Sequence, residues 1–113
     1  MEGVYLIGAW IPGGGENEMA TAFAENFEAK MGMPADEWHA VGYSGMQVVA
    51  NAVKDAAEAG TLTREGVRDA LGAQTDIPVL IGEYSYSFDE ERVPHFGMKV
   101  MTVKDGAFVE ATE

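Results

Sequence analysis

The sequence predicts an α/β fold in which three successive helices lie between an opening strand and a late group of short strands. Three observations carry this reading: an unbroken apolar run near the start, three stretches with apolar residues at helical spacing, and a late switch to alternating, Asp-Gly-joined segments. With 113 residues, 47% of them hydrophobic, the chain can build a core, although a domain this small buries only a modest share of its surface.

Residues 3–10 (GVYLIGAW) form a branched and aromatic run too short for a good helix, and read as a strand buried on both faces. Such a strand needs neighbours on both sides, and Pro12 with Gly13, Gly14 and Gly15 ends it. Over residues 17–31, Met19, Phe23, Phe27 and Met31 recur every fourth position, with Glu16, Glu18, Glu25 and Glu28 mainly on the polar side. This predicts an amphipathic helix whose end suits Lys30 and Gly32.

Met33-Pro34 breaks the pattern, and residues 38–41 (WHAV) follow as a short apolar piece. A second, stronger helix is expected over residues 44–59, with Met46, Val49, Ala50, Val53 and Ala57 as its apolar face and Gly60 past its end. Thr63 is placed to cap a third helix, with Glu65 in its first turn, Val67, Ala70 and Leu71 as its stripe, and Gly72 as its stop. Residues 79–81 are apolar, and residues 83–88 (EYSYSF) alternate as a half-exposed strand does. Residues 96–103 and 107–109 read as strands joined through Lys104-Asp105-Gly106-Ala107, where Asp-Gly favours the type I′ turn of a hairpin.

Nineteen acidic residues against seven basic ones give a net charge of -12, a field that repels phosphate backbones and anionic head groups and keeps the chain soluble. No nucleic-acid or membrane-surface role is therefore expected. The absence of cysteine excludes a disulfide framework, a thiolate nucleophile and a zinc-thiolate site. No run approaches the ~18 apolar residues of a membrane span, and the start lacks a basic, apolar and small-residue leader, so an exported parent carries its signal outside this chain.

Candidate chemistry is sparse. The glycine triplet follows a strand, yet no G-x-G-x-x-G or Gly-Lys-Ser/Thr is present, and Glu16 and Glu18 would repel phosphate, so a flexible crossover turn fits better. His39 and His95 lack partners at helical spacing and read as structural or surface residues; an enzyme built on either with nearby carboxylates has no nucleophile, metal set or cofactor fingerprint. Asp89-Glu90-Glu91 reads as a solvated turn, with weak calcium contact as the alternative. No catalytic residue, metal ligand or cofactor is assigned. Residues 38–43 say more, because Trp38, His39 and Tyr43 stand where a loop feeds the strongest helix, and aromatic walls at element ends line solute clefts. Trp38 and Tyr43 fit ordinary core anchors equally well.

The order of these pieces resembles a known family. An entry strand (EGVYLIGAWIP), a helix ending in Phe27-Glu28-Ala29-Lys30, Ala40-Val41-Gly42-Tyr43 leading an alanine-rich helix, a Thr-capped TREGVRDAL, then Gly82, Phe88-Asp89 and VKDGAFV together resemble the C-terminal part of type I periplasmic solute-binding proteins. Those of branched-chain amino acid transport are the nearest in look. Ser44-Gly45 after Tyr43 departs from the Asp or Ala many relatives carry, and the turn at Gly13 is irregular.

The resemblance implies a partial periplasmic-binding-protein-like lobe of type I, a single partial domain over residues 1–113 with three helices, a short sheet and a C-terminal β-hairpin. In that family two lobes, each a mostly parallel sheet flanked by helices, close on a solute, and the chain crosses the hinge three times. This region corresponds to the last part, starting near the third crossover. By the same resemblance Trp38 lends an aromatic to the cleft, with Tyr43 and His39 beside it, whereas the residues gripping an amino acid's ammonium and carboxylate come from earlier sequence.

The implied role is the solute-binding component of an ABC transport system for branched-chain or related amino acids. It acts by hinge closure without catalysis, in the periplasm or outside the cell, with transporter membrane subunits as partners. Two rivals stand beside it: a ligand-sensing receptor domain of the same fold, and a truncated or engineered half-domain that binds nothing and folds by oligomerising. Hydrophobic surface left open on the first strand and the helices predicts self-association of the isolated chain.

Overall fold

Local capping signals set the helix boundaries. In the computed structural model, which describes residues 1–111, helix α1 spans Glu18–Met31, and the Asn17 side chain accepts the Ala20 N–H at its start. Gly32 closes it in the left-handed region, as the Lys-Met-Gly ending predicts. Helix α3 spans Arg64–Gly72 behind Thr63, whose hydroxyl accepts the Gly66 N–H. The last two residues of the domain expected over 1–113 lie outside the described residues.

Helix α2 differs from expectation in both extent and orientation. It spans Glu37–Glu58, so residues 38–43 form its opening turns and not a loop before it. The reason is a capping box: the Asp36 carboxylate accepts the His39 N–H while the His39 ring reaches back to the Asp36 N–H. Its buried stripe is Ala40, Ser44, Val48, Ala52 and Ala56, whereas Met46, Val49 and Val53 of the expected core face are exposed. The two sets lie on opposite sides, because the chain core takes the small residues at every fourth position and leaves the larger ones outward.

The strands form two antiparallel sheets, not the mostly parallel layer of a whole lobe. One sheet has the order β1-β5-β6, where β1 is Tyr5–Gly8, β5 is Lys99–Lys104 and β6 is Ala107–Glu110. The other joins β2 (Ile77–Pro78), β3 (Ser85–Phe88) and β4 (Pro94–His95) in sequence order. The β5–β6 turn holds Asp105 and Gly106 at φ 52° and 77°, the left-handed pair that Asp-Gly predicts, and the Glu2 carboxylate accepts both turn N–H groups. Residues 79–81 are buried but belong to no strand. They thread beneath α2, with the Leu80 N–H donating to Ser44 Oγ at 3.0 Å.

The opening strand is shorter and more open than expected. It is an edge, paired only with β5, and its side chains alternate: Leu6 lies opposite buried Met101, while Tyr5 and Ile7, opposite Thr102 and Val100, are 70% and 68% exposed. A continuous apolar run thus serves as a one-sided strand within these residues. The glycine triplet begins inside a 3-10 turn at Pro12–Gly14, with Gly15 as its C-cap: Gly14 has φ 89° and lies so close to the Ala20 backbone that a Cβ would collide with it.

The core gathers Ala9, Trp10, Ala20, Ala40, Val48 and residues 79–81, with Phe23, Leu71 and Phe96 packed against it. It lies between the helices and the β2-β3-β4 segment. The radius of gyration is 16.1 Å, against about 13 Å for a compact chain of this length. The accessible surface, 7538 Å², exceeds by roughly 1,500 Å² the ~6,000 Å² expected of a folded monomer of 12.1 kDa.

Candidate functional site

Trp38, His39 and Tyr43 all belong to α2, and the helix separates them. Tyr43 follows His39 by four residues, so these two share a face and meet α1: the Tyr43 ring is 4.8 Å from Phe23, and the His39 ring 4.4 Å from Phe27, centroid to centroid. Trp38 points from a different side of the first turn and is 79% exposed. It is therefore not a core anchor of the described residues, while Tyr43 is half packed against α1.

His39 is occupied by the cap. Its Nδ1 lies 3.2 Å from the Asp36 nitrogen and 2.8 Å from Asp36 Oδ1. A single ring nitrogen serves one of these at a time, accepting the N–H when unprotonated or donating to the carboxylate when protonated. Either way the imidazole closes the helix, and Nε2 is the atom left for anything else. His95 is paired separately, its Nε2 2.9 Å from Asp89 Oδ2. That hydrogen bond, helped by the Val93 and Glu91 N–H groups on Oδ1, holds the Asp89 carboxyl below the usual carboxylate range. The segment 89–91 is a turn organised by its own aspartate. Among the described residues no group of three or more potential ligands could hold a metal ion, and no helix is long and apolar enough to cross a membrane.

Between α1 and α2 runs an open groove of about 590 Å³, walled by Met19, Phe23, Phe27 and Tyr43, with Asn26 and Lys30 as polar members. Trp38 and His39 are not among the residues that line it, so the groove and the exposed indole are separate features. Sequence reasoning missed two links at the end of β1, one of them to the first turn of α2. Glu37 Oε1 accepts the Ala9 N–H at 2.7 Å, and the Gly82 N–H donates to the Ala9 carbonyl at 2.8 Å. The Asp36 and His39 spacing was the available signal for the earlier helix start; a contact spanning 28 residues leaves no local one.

An α-helical layer on an irregular buried segment, joined to a three-stranded antiparallel sheet, is the architecture of part of a two-lobed solute-binding fold. The sequence model described as periplasmic binding protein matches residues 1–107, and the chain belongs to that family. Among solved structures it is similar to a putative branched-chain amino acid ABC transporter from Rhodospirillum rubrum, at 28% identity and a TM-score of 0.82, over 97% of this chain and 31% of that one. The leucine-binding protein LivK from Thermotoga maritima is 22% identical with a TM-score of 0.75, over 98% and 30%. A solute-binding protein from R. palustris in complex with benzoate is 19% identical with a TM-score of 0.76, over 96% and 29%. The last two show the fold alone. The chain spans about 30% of the length of these structures, and no curated protein matches it.

Proposed function

We propose that the chain is one part of the solute-binding component of an ABC transport system for branched-chain or related amino acids, which holds its solute by hinge closure and makes or breaks no bond. The carrying observation is the likeness to the Rhodospirillum rubrum structure over nearly the whole chain. Family membership supports a periplasmic or extracellular parent, with transporter membrane subunits as partners. Within the whole protein, Trp38 packs on the solute side chain, while Tyr43 and His39, on the face of α2 that meets α1, support the helix that carries it. A large aromatic that its own chain leaves mostly exposed is what such a cleft wall supplies.

Calorimetry on the whole protein tests this with leucine, isoleucine and valine, and with benzoate as a competing class. Binding of a branched-chain amino acid that weakens at least about 10-fold in Trp38→Ala is the expected outcome. No heat with any amino acid would remove the solute assignment. Self-association of this chain is a second proposal, favoured by Tyr5, Ile7 and Val100 standing exposed on one sheet face.

A further inference from the structure

The end of β1 and the start of α2 meet at Ala9. The β1–β5 ladder has its last pair at Gly8 and Lys99, so the Ala9 backbone groups fall beyond it. Ala9 is 5% exposed, so its backbone groups need partners within the chain. Both of its groups are met from outside the ladder, the N–H by Glu37 Oε1 at the head of α2 and the carbonyl by the N–H of Gly82, in the turn that follows residues 79–81. The Glu37 carboxylate also sits over Gly8, where a Cβ would lie 3.5 and 3.6 Å from its two oxygens and 2.6 Å from Met101 Cε.

Two carboxylates therefore divide the labour at the head of α2. Asp36 caps the helix, whereas Glu37, its first residue, reaches out of the helix to the strand. Trp38 comes next in the chain and has little packing of its own, so the backbone of this turn decides where the indole stands. We propose that Glu37 is a positioning residue: by holding the Ala9 N–H it fixes the first turn of α2, and with it Trp38, relative to the β1-β5-β6 sheet. The functional meaning of this latch rests on Trp38 facing the solute; the latch itself does not.

The test is nuclear magnetic resonance on the whole 113-residue chain, comparing Glu37→Leu, which fills the space without an acceptor, with Glu37→Gln, which keeps an acceptor oxygen. Glu37→Leu is expected to speed Ala9 amide exchange at least about 10-fold, as loss of a hydrogen bond to a charged group should. It also moves the Trp38 indole resonance, while the Ala40 and Ala52 amides inside α2 stay protected. Glu37→Gln restores both, with the Ala9 amide proton shifted upfield because its acceptor has lost its charge. Unchanged Ala9 exchange in a folded Glu37→Leu chain would overturn the proposal. Should Glu37→Leu not fold, Glu37→Gln decides: a protected, upfield-shifted Ala9 amide supports the latch, and an unmoved one refutes it. Neither readout involves a solute, so a failed titration of the whole protein removes the reading of Trp38 and leaves the latch standing, and the reverse holds equally.

Discussion

Val48 and Val49 are chemically identical neighbours on α2, yet one is 4% exposed and the other 41%. The difference extends along the helix, since Ala40, Ser44, Ala52 and Ala56 lie with Val48 in the core and Met46 and Val53 lie with Val49 outside it. The β1-β5-β6 sheet repeats the contrast, with Met101 and Val103 covered and Tyr5, Ile7 and Val100 open. A helix apolar on both sides is a helix built to be covered on both. Within the described residues each of these elements is finished on one face only, and the excess of accessible surface is of the order that a protein–protein interface buries.

The contrast is sharpened first by a matched pair. Val48→Ala is expected to lower stability by roughly 2–3 kcal/mol through lost burial and a residual cavity. Val49→Ala should change it by less than about 0.5 kcal/mol, since the side chain stands outside the core and alanine favours helix. Urea unfolding of the two variants reads the difference directly, and equal losses would break the distinction between the faces. Ser44→Ala comes next, at roughly 1–2 kcal/mol, because it strips the Leu80 N–H of its buried acceptor. A loss near zero would mean that residues 79–81 are not held by α2.

How much of this was legible follows the range of the signals. Asn17, Thr63 and Asp105-Gly106 act within a few residues, and the elements they set lie where the sequence places them. The start of α2 depended on Asp36 and His39 acting together, a pairing in which histidine stands where a glutamate usually signals the box. Its buried face was misjudged because Met46, Val49 and Val53 outweigh the alanines in any count of hydrophobicity, while close packing selects the small side chains. The run of residues 3–10 carries apolar side chains for two faces, and sequence alone has no means of saying which face the described residues cover. At the candidate site the aromatic identities were legible, but the helix face on which each lies was not, and Glu37 was invisible because its partner is 28 residues away.

The smallest expected effect is local and depends on pH. Asp89 has its carboxyl held below the ordinary range by His95 and by two backbone N–H groups. Its contribution to holding the 89–93 turn is complete above the unfolded carboxylate value of about 4 and is lost as pH falls through the lower folded value. Amide exchange of Glu91 and Val93 should accelerate in acid beyond its intrinsic pH dependence in the native sequence, and lose that excess in Asp89→Asn. If the native sequence shows no excess, the aspartate does not organise the turn.

Sedimentation velocity of the chain over a range of concentrations, beside a Tyr5→Lys/Ile7→Lys variant, tests most directly whether the open faces are surfaces meant for contact. Concentration-dependent association of the native chain, abolished in the variant with its helical content and unfolding midpoint intact, is the predicted result. A native chain that sediments as a monomer at every concentration, or a variant that associates as strongly, would contradict it.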